Sequence, residues 1–201
     1  MSNKSKQALL LEYAKDPTYT LYLLMILGLA IPIIKPLGFG VTPGEHSKEL
    51  YNAIEKLQAG SIVVLDISFD EGNYPEIGYG AETVFKHVLR KNLKLVVVTF
   101  RPQGPIMYRI MLEHIGAPKG KQYGTDWVFL GFFAGMDVPM ASLAKDLRFG
   151  GKDWQGTALG TLPLMDNAKT VTDIALLVVV TPDMGLINSW LRQWPTTHGT
   201  R

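Results

Sequence analysis

Two patterns of apolar residues alternate along the chain. The first is the continuous run: residues 62–65, 93–98, 127–133 and 174–180 are almost wholly apolar. Such runs suit strands of a parallel sheet covered on both faces. The second is the helical stripe. Leu50, Ile54 and Leu57 precede the first run, and Ala81, Val84, Phe85, Val88 and Leu89 separate it from the second. Met107, Ile110, Met111 and Ile115 come before the third run; Met140, Leu143, Ala144 and Leu147 come after it. Ile187, Trp190, Leu191 and Trp194 follow the fourth. Each set recurs three or four residues apart and so marks one face of a helix, with Lys86, His87, Arg90 and Lys91 outside that face on the second. The alternation predicts an α/β domain, an open, mostly parallel sheet of at least four strands flanked by helices. Residues 61–104 are its organising unit, strand–helix–strand, whose crossover should be right-handed.

Punctuation agrees with this pattern. Thr42, Pro43 and Glu45 fit an N-cap, a proline at the first helical position and a capping-box acid. Gly104 and Pro105 open one helix; Gly116 and Pro118 close it. Residues 149–163 (FGGKDWQGTALGTLP) match neither period and predict a long irregular excursion.

The amino-terminal part follows a different pattern. No residue from 17 to 34 is charged (PTYTLYLLMILGLAIPII). As a helix this run rises about 27 Å, close to the hydrocarbon thickness of a bilayer. Tyr19 and Tyr22 suit one interface, and Lys35 can snorkel at the other. A signal peptide has a shorter apolar region, typically about 7–15 residues, and a small-residue cleavage site that is not evident here. The expectation is a single-pass anchor meeting the lipid bilayer through residues 18–34, so that residues 1–41 are lead, span and linker and 42–201 the α/β domain. Lys4, Lys6 and Lys15 precede the span, Lys35 and Lys48 follow it, and this bias favours an extracytoplasmic domain.

Composition narrows the functional classes. A net charge of +2 over 201 residues, with basic residues scattered, gives no footprint for nucleic acid. The absence of cysteine removes disulfides, thiolate nucleophiles and thiolate metal sites. The four histidines are dispersed without metal-ligand spacing, and there is no phosphate-binding or dinucleotide glycine motif and no nucleophile elbow. No cofactor or metal is therefore expected, and the balance leans away from an enzyme.

In open parallel sheets ligands bind beyond the carboxyl ends of the strands. The candidates there are Asp66 and Ser68 after the first strand, Thr99, Arg101 and Gly104 after the second, Gly135 and Asp137 after the third, and Thr181 and Asp183 after the fourth. Thr181 and Asp137 also suit helix caps. Asp66, a carboxylate closing a buried strand, needs a partner such as Arg101 or a loop N–H, or else a water-filled site. The acidic loop with Asp70, Glu71, Glu76 and Glu82 would hold a cation only if three carboxylates converged.

Two resemblances bear on these residues. Asp66 and Thr99 are similar in placement to the nucleophile and second-strand hydroxyl of haloacid dehalogenase-type hydrolases, but Ser68 stands where that family needs a second aspartate. The chain more closely resembles the front part of a prokaryotic family of membrane-anchored, Rossmann-like α/β proteins whose motifs have no assigned chemistry. The segments that carry this are 51–66 (YNAIEKLQAGSIVVLD), 101–105 (RPQGP), 123–135 (YGTDWVFLGFFAG) and 181–194 (TPDMGLINSWLRQW). The resemblance implies membrane anchoring and a further glycine-rich region in longer members. The functional expectation is a non-catalytic subunit or interaction module beside a membrane-protein partner, with Trp154, Trp190 and Trp194 as exposed contact residues. The alternative is a small-molecule sensor or hydrolase using the strand ends.

Overall fold

The computed structural model describes residues 17–35, 42–116 and 118–198. The chain divides into two compact units, Met1–Gly44 and Glu45–Arg201. In the first, helix α1 (Pro17–Ile34) carries no charge and buries none of its residues. It is long and apolar enough to cross a membrane. Pro32 sits in its last turn, where a kink deflects only the helix end. The polar lead before α1 and most of the expected linker lie outside the described residues.

The second unit contains helix α2 (Glu45–Glu55), strand β1 (Ile62–Ile67), helix α3 (Tyr79–Arg90), strand β2 (Lys94–Thr99), helix α4 (Gly104–Ile115) and strand β3 (Trp127–Phe132). Helix α5 (Asp137–Lys145), strand β4 (Ile174–Val180), helix α6 (Met184–Gln193) and a last turn α7 (Pro195–His198) complete it. The four strands are all parallel, in the order β3-β2-β1-β4. Every expected strand and helix is present. Helix α2 starts at Glu45 rather than beyond a Thr42 cap, because Gly44, a poor helix former, occupies what would be its first turn.

Alternate side chains of the strands feed two cores. On one face Val63, Leu65, Val97 and Phe129 meet Ile54 of α2, Phe85 and Leu89 of α3, and Met107 and Met111 of α4. On the other, Val64, Val96 and Val128 meet Met140 and Leu143 of α5, Leu186 and Trp190 of α6, and Leu159 to Ala168 of the excursion. That double cover is why the strands read as unbroken apolar runs.

Two expectations of exposure fail. Trp190 and Trp194 are 1% and 0% exposed. The buried stripe of α6 runs through Leu186 and Trp190, which leaves Leu191 half in solvent and turns both tryptophans onto the sheet. His87, expected outside the apolar face of α3, is buried because α2 covers it. Its ring stacks on Tyr51, and Nε2 lies 2.7 Å from Glu55 Oε1. Bonds from His87 and Lys91 hold the Glu55 carboxyl down at about 2.

The two sheet edges differ. Beyond β3 the excursion closes the edge: the Trp154 N–H donates to the Phe129 carbonyl (3.2 Å), and Gly131, whose φ of +96° suits glycine, lies against Trp154. Trp154 is partly exposed and packs on Tyr108 and Phe129. Beyond β4, among the described residues, no strand follows.

Candidate functional site

The strand order reverses between β1 and β4, since β2 and β3 lie to one side of β1 and β4 to the other. A ligand site in this architecture belongs at the carboxyl end of that pair. Asp66 is positioned there by the ladder itself. It pairs with Val98 of β2 and Val179 of β4, so β1 continues two residues past the expected end and carries the carboxylate into the interior.

Asp66 and Ser68 are completely buried. The Ser68 hydroxyl donates to Asp66 Oδ1, and the Trp190 indole donates to Oδ2 at 2.6 Å. Ser68 Oγ in turn accepts the Phe100 N–H at 2.7 Å. Burial pushes the Asp66 carboxyl up to about 7, against the two hydrogen bonds that favour its charged form. Trp190 stands edge-on to Phe100 and Trp194 and closes the site from the α6 side. The pairing of Asp66 with Arg101 that the sequence suggested does not occur: Arg101 lies beyond the strand end, where it meets α6.

Thr99 is also buried. Its hydroxyl donates to the Ile67 carbonyl at 3.2 Å and accepts the Arg101 N–H at 3.2 Å. Gly104 opens α4 directly beneath it; a Cβ at Gly104 would stand 2.0 Å from Thr99 Oγ1. The glycine is a close-approach residue that fixes how α4 leaves β2.

Arg101 Nη2 donates to Asp183 Oδ2 at 2.9 Å, joining the β2 and β4 loops across the sheet end. Asp183 is the N-cap of α6, accepting the Gly185 and Leu186 N–H groups at 2.8 and 3.3 Å. Thr181, expected as that cap, instead accepts the Asp183 N–H through its hydroxyl at 3.1 Å. The helix starts two residues later than its proline suggested, and the carboxylate captures the free N–H groups.

Gly135, at φ +93°, turns the chain from β3 into α5. Asp137 is the first residue of α5 and makes no capping bond. It receives Arg192 Nη2 at 3.0 and 3.2 Å, tying α5 to α6. The Arg192 guanidinium is the chief cause that holds the Asp137 carboxyl below its usual value. The predicted residues thus form separate structural groups: a buried Asp66–Ser68–Trp190 triad, a Thr99–Gly104 contact, an Arg101–Asp183–Thr181 clasp and an Asp137–Arg192 clasp.

Two networks escaped the sequence reading. Glu82 of α3, 5% exposed, accepts the Tyr74 hydroxyl at 2.7 Å and lies 3.0 Å from His114 Nδ1. Burial raises its carboxyl, but the bonds from Tyr74, His114 and Lys86 outweigh that and leave it below the ordinary value. Tyr74 opens a π-helical turn, Tyr74–Gly78, which together with the first turn of α3 replaces most of the expected acidic loop. Asp153, in the excursion, accepts the Tyr123 hydroxyl at 2.7 Å and the Gln155 and Thr157 N–H groups at 2.9 and 2.7 Å. The i, i+8 spacing of Tyr74 and Glu82 around a glycine-rich turn gave no period to read. Among the described residues, no three His, Asp or Glu side chains gather closely enough to hold a metal ion.

The second unit is therefore an open α/β sheet wound on both faces, of Rossmann-like architecture. No family model matches the chain, and neither a curated protein nor a solved structure matches it.

Proposed function

We propose that this chain is a single-pass membrane protein whose α/β unit is a non-catalytic interaction module, a subunit held beside a membrane-protein partner. The observation that carries the reading is the use of the strand-end polar groups. Asp66, Ser68 and Thr99 are sealed from solvent, and Arg101, Asp137 and Asp183 spend their charges on one another or on Arg192 and a helix terminus. A hydrolase or sensor needs at least one such group free to meet a ligand. The uncharged α1 supplies the tether, and the lysine bias around it favours the lead inside and the α/β unit outside.

Purification from detergent-solubilised membranes with α1 intact tests the module. A partner should co-purify in fixed ratio; a clean monomer counts against the proposal. The chain has no cysteine, so one cysteine introduced at an exposed position such as Gln155 reports the side of the membrane through its reaction with an impermeant maleimide.

One feature favours the sensor reading as second choice: a buried carboxyl near neutrality at the reversal point, of the kind found at functional sites. It requires Trp190 to swing away from Asp66. A screen of phosphates, nucleotides and divalent cations for a Tm increase that Asp66→Asn abolishes would support it.

A further inference from the structure

The basic residues that look scattered in the sequence are not scattered in space. A groove of about 390 Å³ runs between the second halves of α3 and α4, lined by Lys86, Arg90, Lys119 and Lys121 with Phe85, Leu89, Ile115 and Pro118. Lys86 and Arg90 stand one turn apart on α3, and the two other lysines arrive from the turn after α4. The apolar residues line the groove beneath this cationic rim.

The neighbouring cations show what ordinary neutralisation looks like in this fold. Lys91 pairs with Glu55 at 3.0 Å and Lys94 with Asp126 at 2.9 Å. At the groove, Lys86 has only Glu82, at 3.5 Å, and Lys121 holds the neutral Asn92 amide at 2.7 Å. Among the described residues, Arg90 and Lys119 have no ion-pair partner. Lys121 also feels the Asp126 carboxylate, which Lys94 holds, so the rim carries four cations near two carboxylates that are each shared with other donors, an excess complementary to an anion. An apolar lining within that rim fits an anion with hydrocarbon attached.

We propose that this groove docks the α/β unit onto anionic phospholipid, the lipid phosphate lying among Lys86, Arg90, Lys119 and Lys121 and the first acyl carbons against Ile115 and Pro118. The inference rests on the membrane-anchored reading, which keeps the unit within a linker's length of a bilayer and so at high effective lipid concentration. Cations near an anionic membrane surface contribute roughly fivefold each to the bound population, so four suffice for a tethered module.

The test uses the full chain in nanodiscs, with an environment-sensitive fluorophore on Gln122→Cys, an exposed position beside the groove. Discs of phosphatidylcholine alone are compared with discs in which about a third of the lipid is phosphatidylglycerol. The expected result is a blue-shifted emission in the anionic discs only, reversed by high salt and absent when the four cations are replaced by glutamine. Those side chains are exposed or half-exposed, and unchanged hydrogen exchange in β1–β4 verifies the fold of the variant. Equal emission in both discs, or a shift that survives the four substitutions, overturns the proposal. So does a dye that ignores lipid but responds to an acidic amphipathic peptide, which would assign the groove to a protein segment. A chain that never assembles into discs refutes the anchor; one that assembles without a lipid-dependent shift refutes only the docking.

Discussion

Asp66→Asn should make the protein more stable above neutral pH. In the native state burial lifts the Asp66 carboxyl from an ordinary 3.8 to about 7. Between those values the unfolded chain has released the proton while the native chain keeps it, so stability falls as pH rises and levels off once the native carboxyl ionises. That interval, at 1.36 kcal/mol per pH unit, amounts to about 4 kcal/mol, an upper limit on the cost of the buried anion at pH 8. Asparagine keeps both contacts without the charge, though the one to Ser68 reverses direction. Its Oδ1 takes the Trp190 N–H, and its amide donates to Ser68 Oγ, which accepts the Phe100 N–H and has a second lone pair. We expect the variant to gain about 2–4 kcal/mol over the parent at pH 8 and little at pH 4. Urea unfolding of both proteins across this range supplies the measurement, and the difference between the two curves cancels every other titrating group. A difference that is flat with pH, or that favours the parent as pH rises, would refute the argument that burial outweighs the two donors.

Three further outcomes follow from the geometry. Gly104→Ala drives a methyl group into Thr99 and should cost about 3 kcal/mol in urea unfolding, because the neighbour is a buried, twice-bonded side chain with no room to yield. Asp183→Ala should cost about 1 kcal/mol through the lost cap, and Arg101→Ala less, since their ion pair is partly exposed; equal losses would show that the pair, not the cap, carries the effect. Removing residues 1–41 should abolish membrane association yet leave a cooperatively folding α/β unit, because α1 contributes no buried residue and both cores are built from residues beyond Gly44; circular dichroism with membrane fractionation reads both results.

The fold was legible because its signal is periodic. Both patterns survive in the sequence wherever one element meets one environment, as in Ile174–Val180, whose bounds the hydrophobic run alone defines. The site was less legible, because hydrogen-bond partners carry no period. Nothing local to Asp66 points to a tryptophan more than a hundred positions later. Reading Trp190 as exposed and Asp66 as facing Arg101 failed for the same reason: each depends on which face of α6 turns inward, and an indole satisfies either a core or a surface. Thr181 and Asp183 both suit a cap, and the choice fell to the longer, charged acceptor. The basic groove was hidden by chain distance, its cations coming from two segments some thirty residues apart.

The open edge at β4 has a consequence for how this protein behaves outside its native setting. The strand, IALLVVV, has no charge or proline within it, and its one irregularity, the unpaired Ala175, lies at its start and leaves Leu176–Val180 regular; charges, prolines and bulges are the devices by which edge strands discourage unwanted pairing. The opposite edge is guarded by the backbone of Trp154; β4 has no such guard among the described residues. Concentrated preparations should therefore associate through this edge into β-rich aggregates, more so when warming loosens α2 or α6 beside it. A single lysine at Ala175, a half-buried position outside both cores, is a substitution suited to keeping the sheet from growing.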